Sequence, residues 1–395
     1  MAIGDLLHQT PVTTPDPYTG CPVTRLTPPD HTSHHMYFYN RMVTSDSSRL
    51  LYCAEINGRR NLYLMELATG DAVQLTEGDA LDDYGAMISA DDKSVYYQQD
   101  RKVWKLDLAT LQRTCLYAAP DGWDCGNWGM SDDNRYLVMT ETRRDTLPDL
   151  TGKKGWEFFP LTCAAKPLCH IVYLDTQTGE HHIVVEDRCW FGHAQLRPGD
   201  PDTILFCHEG PYDMIDARLW LIQSDGSRYR CARPQPKDVI IPHEFWMPPG
   251  DRLAYVYRKA DDGSTETIRM MRPETLEEEL FMPCLPYAHF ICDRQRRWFV
   301  GDCQGQETPI HLQTGEGRGQ EVRNDFIYLV DIARKKEIPL CYHGTSWTTI
   351  HGTPQDAHPH PCFTPDGSGV VFTSDREGKP CVYLAKTAGA AAKGE

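Results

Sequence analysis

The chain has 395 residues, 40% of them hydrophobic and 24% charged, the balance of a folded globular protein and not of a disordered one. A formal net charge of −16 argues against a nucleic-acid partner, since phosphate binding needs a basic face, yet leaves room for a small anionic ligand in a locally positive pocket. No run approaches the roughly 18 apolar residues of a membrane helix, and residues 1–10 lack the basic and apolar regions of a secretory leader, so no membrane partner and a cytoplasmic location are expected.

In chain order, a self-similar unit dominates. Ser45-Asp-Ser-Ser-Arg opens a turn into the apolar run Leu50-Leu-Tyr-Cys-Ala. Asn61-Leu-Tyr-Leu-Met-Glu-Leu follows, then the turn Ala68-Thr-Gly-Asp and an outer strand Ala72-Val-Gln-Leu-Thr. The same order returns from Ser89, Ser131, Arg197, Pro249, Asp293 and Thr364, which makes seven units. Asp/Gly turns between alternating strands have the chemistry of tight hairpins. Seven such units predict an all-β fold, a seven-bladed β-propeller. The last unit runs out after Cys381-Val-Tyr-Leu-Ala, while Pro22-Val-Thr-Arg-Leu-Thr matches the outer strand at Ala72. A strand near 22–27 is therefore expected to close the last sheet and remove an exposed edge. No linker is visible, so one domain over 1–395 is expected. Inserts at 141–168 and 303–324 would be loops or short helices, and 387–395 a flexible tail. The fifteen cysteines form no C-x-x-C pair, and most lie in apolar runs, as reduced buried thiols do.

Histidines recur at one point of the repeat, just before its turn: His193, His243, His289, then His358 and His360 in Gln355-Asp-Ala-His-Pro-His-Pro. His34 and His35 hold a comparable place in the first unit. Equivalent positions of a propeller face the same mouth of its channel. A lone histidine is most often a satisfied structural residue, but several at one repeat position favour a shared site. His358 and His360 alternate with one residue between them, so as strand residues both point to one side. With Gln355 and His289 they offer three imidazoles and an amide oxygen without thiolate. That set suits a catalytic Mn²⁺, Fe²⁺ or Zn²⁺ with open positions better than a closed structural zinc. Arg218 opens an apolar strand, and its guanidinium is expected in the channel, where it would hold a carboxylate bidentately. The loop after His208 carries more polar residues than a hairpin needs, which makes His208 a further candidate.

Several phrases together carry a family likeness: His208-Glu-Gly-Pro-Tyr-Asp, Asp216-Ala-Arg-Leu-Trp-Leu, His243-Glu-Phe-Trp, Thr345-Ser-Trp and His358-Pro-His-Pro-Cys-Phe-Thr-Pro. The chain resembles the oligogalacturonate lyase family from about residue 20 to about 386. The resemblance implies a cytoplasmic, Mn²⁺-dependent enzyme of pectin breakdown that splits digalacturonate and its unsaturated form by β-elimination. It implies His289, Gln355, His358 and His360 as metal ligands and His243 as the base, with Arg218 beside it; His193, His34 and His208 would contact the small acidic oligosaccharide. Other divalent metals remain open, as does the oligomeric state. A non-catalytic binding propeller and a metal-dependent hydrolase are the rival readings; elimination products separate the three.

Overall fold

The computed structural model describes residues 2–153, 155–259, 266–304, 310–313, 319–348 and 357–388. Among these, the seven repeat units form seven antiparallel sheets of four or five strands, and the fold is a seven-bladed β-propeller. Two compact units make up the chain, one of Met1–Gly78 with Met282–Glu395, the other of Asp79–Phe281.

The first unit holds three of the sheets. One runs through Ser33–His35, Arg49–Ile56, Arg59–Glu66 and Ala72–Gln74, with Leu6–Leu7 added at its outer edge. Its central hairpin turns at Asn57 and Gly58, both in the left-handed region (φ 54° and 73°), the pair that lets a two-residue turn follow the twist of the strands. The second sheet is Tyr287–Cys292, Trp298–Cys303, Phe326–Asp331 and Lys336–Tyr342. The third joins Cys362–Phe363, Gly369–Ser374 and Cys381–Lys386 to Pro22–Arg25 and then Val12–Pro15. Val23 lies opposite Ala385 and Arg25 opposite Tyr383, so the backbone groups on that side of Cys381–Lys386 find partners. Val300, Ile327, Leu329, Leu340, Val370, Phe372 and Tyr383 pack between the second and third sheets with Val23. These strands are buried on both faces, which is why they read as apolar runs.

The second unit holds the other four sheets. Their cores are built alike, from Met87, Val103, Leu137 and Leu174, then Val138, Ile171, Ile204 and Phe206, then Leu205, Leu221, Leu253 and Tyr255. The insert after Tyr136–Arg143 contains a helix, Phe158–Ala165, ended by Lys166 in the left-handed conformation. The later insert differs from the expected loop or helix. It holds a hairpin of Ile310–Gln313 and Gly319–Val322.

In three sheets the first strand is bulged at a comparable point. Register slips between Cys125 and Trp128, between Gly192 and Gln195, and between Tyr287 and Phe290. Each slip leaves extra residues without a ladder partner and re-aims their side chains. The bulge at Tyr287 depends on the strand beside it. A Cβ at Gly301 would come within 2.6 Å of the Tyr287 ring, so only glycine lets that ring lie down there. Gly301→Ala is expected to cost about 1–3 kcal/mol of stability, as overpacked cores do. Urea denaturation of the two proteins measures it, and an unchanged midpoint would refute the packing argument.

Candidate functional site

Each unit carries its own cluster of candidate side chains. In the first unit, His289, His358 and His360 bring one ring nitrogen each within 4.8 Å of one another. All three are buried. His289 sits in the bulge of Tyr287–Cys292, which turns it out of strict alternation. His358 and His360 reach the cluster by another route than the one their spacing implies. Residues 358–361 are not strand, and His360 has φ of 46°, a left-handed backbone that non-glycine residues seldom adopt. The local twist does what strand alternation was expected to do. Gln355, the fourth expected ligand, lies outside the described residues.

Two further residues hold this cluster, and sequence reasoning passed over the first of them. Asp302, fully buried on the neighbouring strand, accepts the His289 backbone N–H at 2.6 Å and faces Nδ1 of the same residue at 2.7 Å. Nδ1 therefore donates, which leaves the Nε2 lone pair as the ligand atom, the carboxylate–histidine arrangement common behind metal ions. Burial pushes the Asp302 carboxyl up, but the His289 ring and its two hydrogen bonds outweigh that and hold it below the usual range. His35 is the other. Its Nε2 lies 3.0 Å from the carbonyl of Pro359, between the two clustered histidines, and its Nδ1 lies 2.6 Å from the carbonyl of Met36. Burial pulls His35 down to about 4. His34, the candidate in its place, pairs across the strand with Cys53 and sets its own Nδ1 3.1 Å from the His35 carbonyl. His35 braces the cluster through the Pro359 carbonyl. Trp347 stacks parallel to His289 (6.2 Å, 7°), and Phe38 stacks on His360 (6.2 Å, 18°), so aromatic walls fix both rings.

The donor set fits a divalent cation. Three imidazoles with a buried carboxylate behind one of them offer neutral nitrogen ligands and a compensating charge. Burial, and then the adjacent His289, pull His358 down to about 3, so its ring stays unprotonated across the neutral range, as a ligand must.

In the second unit the centre is Arg218, buried at the start of Leu219–Gln223. Its Nε donates to Glu244 Oε2 at 2.7 Å and its Nη1 faces Glu209 Oε2 at 3.4 Å. That corrects the expectation of an open fork waiting for a ligand carboxylate, because Nε and Nη1 are committed to internal glutamates. His193 lies in the same group. It too has a left-handed backbone (φ 51°), at the bulge of Phe191–Arg197. Its Nδ1 is 3.1 Å from Glu244 Oε1 and its Nε2 is 3.3 Å from Glu209 Oε1. A Cβ at Gly192 would come within 2.7 Å of Glu209 Oε1, so glycine makes the approach of that carboxylate possible. Burial pushes Glu209 and Glu244 up, but Arg218 and then His193 outweigh it and hold both below the usual carboxylate range. Cys207 joins His193 and Glu209 with ligand atoms inside 4.8 Å, but the guanidinium already supplies the positive charge there. His243, half-buried, stacks parallel to His193 with centroids 5.2 Å apart and planes 9° apart.

His208 is not part of this group. Strand alternation turns it away from its neighbour Cys207, into an aromatic layer where it stacks on Trp220 at 4.4 Å and meets Phe191 and Phe206. Burial pulls it down to about 4, as for a neutral core histidine.

A family model described as oligogalacturonate lyase matches residues 1–391. The chain belongs to the oligogalacturonate lyase family. It is 37% identical over 389 residues to an oligogalacturonide lyase of Pectobacterium atrosepticum, covering 98% of each chain. It is 38% identical over 391 residues to an oligogalacturonate lyase of Dickeya dadantii, again with 98% of each covered. Among solved structures, an oligogalacturonate lyase in complex with manganese superposes with a TM-score of 0.88 at 37% identity over 98% of both chains. The oligogalacturonate lyase of Vibrio parahaemolyticus superposes with a TM-score of 0.87 at 36% identity, over 98% of this chain and 99% of that one. In this family member, Asp302 is the least expected contributor to the cation cluster. Asp302→Asn is expected to weaken divalent-cation binding about 10–100-fold with the fold retained. Competition against a chelating dye measures this, and native affinity in the variant would remove Asp302 from the account.

Proposed function

We propose that the protein is a metal-dependent lyase that cleaves short galacturonate oligomers, digalacturonate and its unsaturated form, by β-elimination in the cytoplasm. The whole chain would work as one seven-bladed domain. The observation that carries the reading is the buried three-histidine cluster with Asp302 behind it, in a chain of this family. No helix among the described residues is long and apolar enough to cross a membrane.

His289, His358 and His360 would hold the ion, with Gln355 as the fourth ligand, and Mn²⁺ is the metal assigned by kinship with the manganese-bound relative. When bound, such an ion supplies Lewis-acid polarisation to the uronate carboxylate, which makes the adjacent C5–H acidic enough to remove. The remaining steps belong to side chains of the chain itself. His243 takes the C5 proton as general base. The C5–H electron pair becomes the C4–C5 double bond, and the C4–O pair leaves with the expelled sugar. His243 suits the role because it is half-buried and its ring is stacked on His193. Arg218 contributes a fixed positive pole, held in place by Glu244 and Glu209, that offsets negative charge growing in the transition state. His193 lines the same group.

Incubation of the Mn²⁺-loaded protein with digalacturonate should give products without an added water mass. A water-mass gain would mean hydrolysis and would sink the reading. His243→Asn should lower turnover roughly 10²–10⁴-fold while metal content stays native. His358→Ala should lose most of the bound metal by elemental analysis with the fold intact, since His358 lies in the irregular segment ahead of Cys362–Phe363 and not in a strand ladder.

A further inference from the structure

The His243-Glu-Phe-Trp phrase contains a glutamate that the reaction as described uses only as an anchor. Glu244 is fully buried, and so is the group around it: Arg218, His193 and most of Glu209. Counted as charges, that group has two carboxylates and one guanidinium. One further positive charge would balance it, and an unbalanced buried charge is costly.

Hydrogen-bond geometry says where that charge resides. Each ring nitrogen of His193 faces a carboxylate oxygen, Nδ1 at Glu244 Oε1 (3.1 Å) and Nε2 at Glu209 Oε1 (3.3 Å). A carboxylate only accepts, so a proton on Nδ1 makes the Glu244 contact a hydrogen bond, while Nε2 stands within ion-pair range of Glu209 Oε1. Arg218 Nη2 is also 3.1 Å from Nδ1. Nδ1 either donates to the carboxylate or accepts from the guanidinium, not both. Among the described residues, His193 is the donor that faces Glu244 Oε1, and a buried carboxylate oxygen left without one loses about 1–3 kcal/mol. The proton therefore belongs on Nδ1.

The geometry points to a positioning role for His193: clamped by Glu209 and Glu244 as a doubly protonated imidazolium, it stacks on His243 and keeps that ring neutral and ready to accept the substrate's proton. The inference rests on His243 being the base. A cation stacked on a second imidazole opposes its protonation. Among the described residues, the charged and titratable groups shown facing His193 are Glu209 after Asp200–His208, Cys207 on that strand, Arg218 before Leu219–Gln223, and Glu244 and His243 at the start of Glu244–Met247. Tyr212 feels Arg218, Glu209, Glu244 and Arg258 at the edge of the group. With one guanidinium against two carboxylates in this inner set, a charged His193 makes it neutral. His193 is then unavailable as a base, which separates the roles of two stacked histidines.

Two measurements test this. Histidine-selective ¹⁵N spectra of the full-length protein, loaded with diamagnetic Zn²⁺, should show at about pH 8 one histidine with protons on both ring nitrogens. That signal should vanish in His193→Gln and become singly protonated in Glu244→Gln. A wild-type spectrum without such a histidine overturns the proposal even if neither variant folds. In the Mn²⁺-loaded enzyme, His193→Gln removes the cation and uncovers the Glu209 carboxylate, so His243 becomes easier to protonate. The acidic limb of kcat/KM on digalacturonate should then move to higher pH by about one unit. A doubly protonated His193 with an unmoved limb would overturn the coupling to His243. Should wild-type enzyme fail to turn over digalacturonate at all, the functional reading falls, while the spectra still decide the charge on His193.

Discussion

The first strand of each sheet has a hydrogen-bonded neighbour on one side only, and that asymmetry governs the rest of this molecule. A ladder can be broken there without stranding the backbone of a third strand. The strands that carry His193 and His289 are bulged at those residues, and His360 sits just ahead of Cys362–Phe363 on a left-handed backbone. Interior strands such as Arg49–Ile56, paired on both flanks in unbroken register, have no such freedom. They provide the stiffness against which the distorted strands are held.

Both clusters solve the same electrostatic problem in opposite ways. Around His289, three buried imidazoles bring ring nitrogens close together, with the single carboxylate of Asp302 behind one of them. Around Arg218 the cation is already built in, and two glutamates surround it. Aromatic rings limit motion at the first, with Trp347, Phe38 and Tyr37 against the histidines. Close backbone approach limits it at the second, through Gly192. Each arrangement has little room to relax, which is what a preorganised site requires.

Much of the architecture was legible because the repeat writes its own punctuation. Asp/Gly turns and apolar runs recur seven times, and each recurrence became a sheet. The histidines were legible as a set for the same reason. Their orientations were not. A period-of-two argument holds only in an unbroken ladder, and the bulges and the left-handed turn at His360 break it at the clustered histidines. His208 shows the converse: in a regular strand, alternation alone would have placed it opposite Cys207 and Glu209. Asp302, Glu244 and Glu209 left a fainter signal, a carboxylate in or beside an apolar run. Such a residue announces burial with a partner but not which partner, since the partner comes from another strand or loop.

The sheet that joins Pro22–Arg25 to Cys381–Lys386 also has a history in time. Cys21 and Lys386 touch although they are 365 positions apart in the chain. At the ~5–20 residues per second of protein synthesis, the early strand waits roughly 20–70 s for its partner. Closing so long a loop costs more entropy than any neighbouring hairpin does. During that interval Gly369–Ser374 and the strands beside it do not yet exist, and Pro22–Arg25 has an open edge. A second nascent chain on the same messenger would present the same complementary strand. Crowded translation thus favours exchange of this one strand between copies, whereas the hairpin-built sheets, complete within tens of residues, are sealed against it.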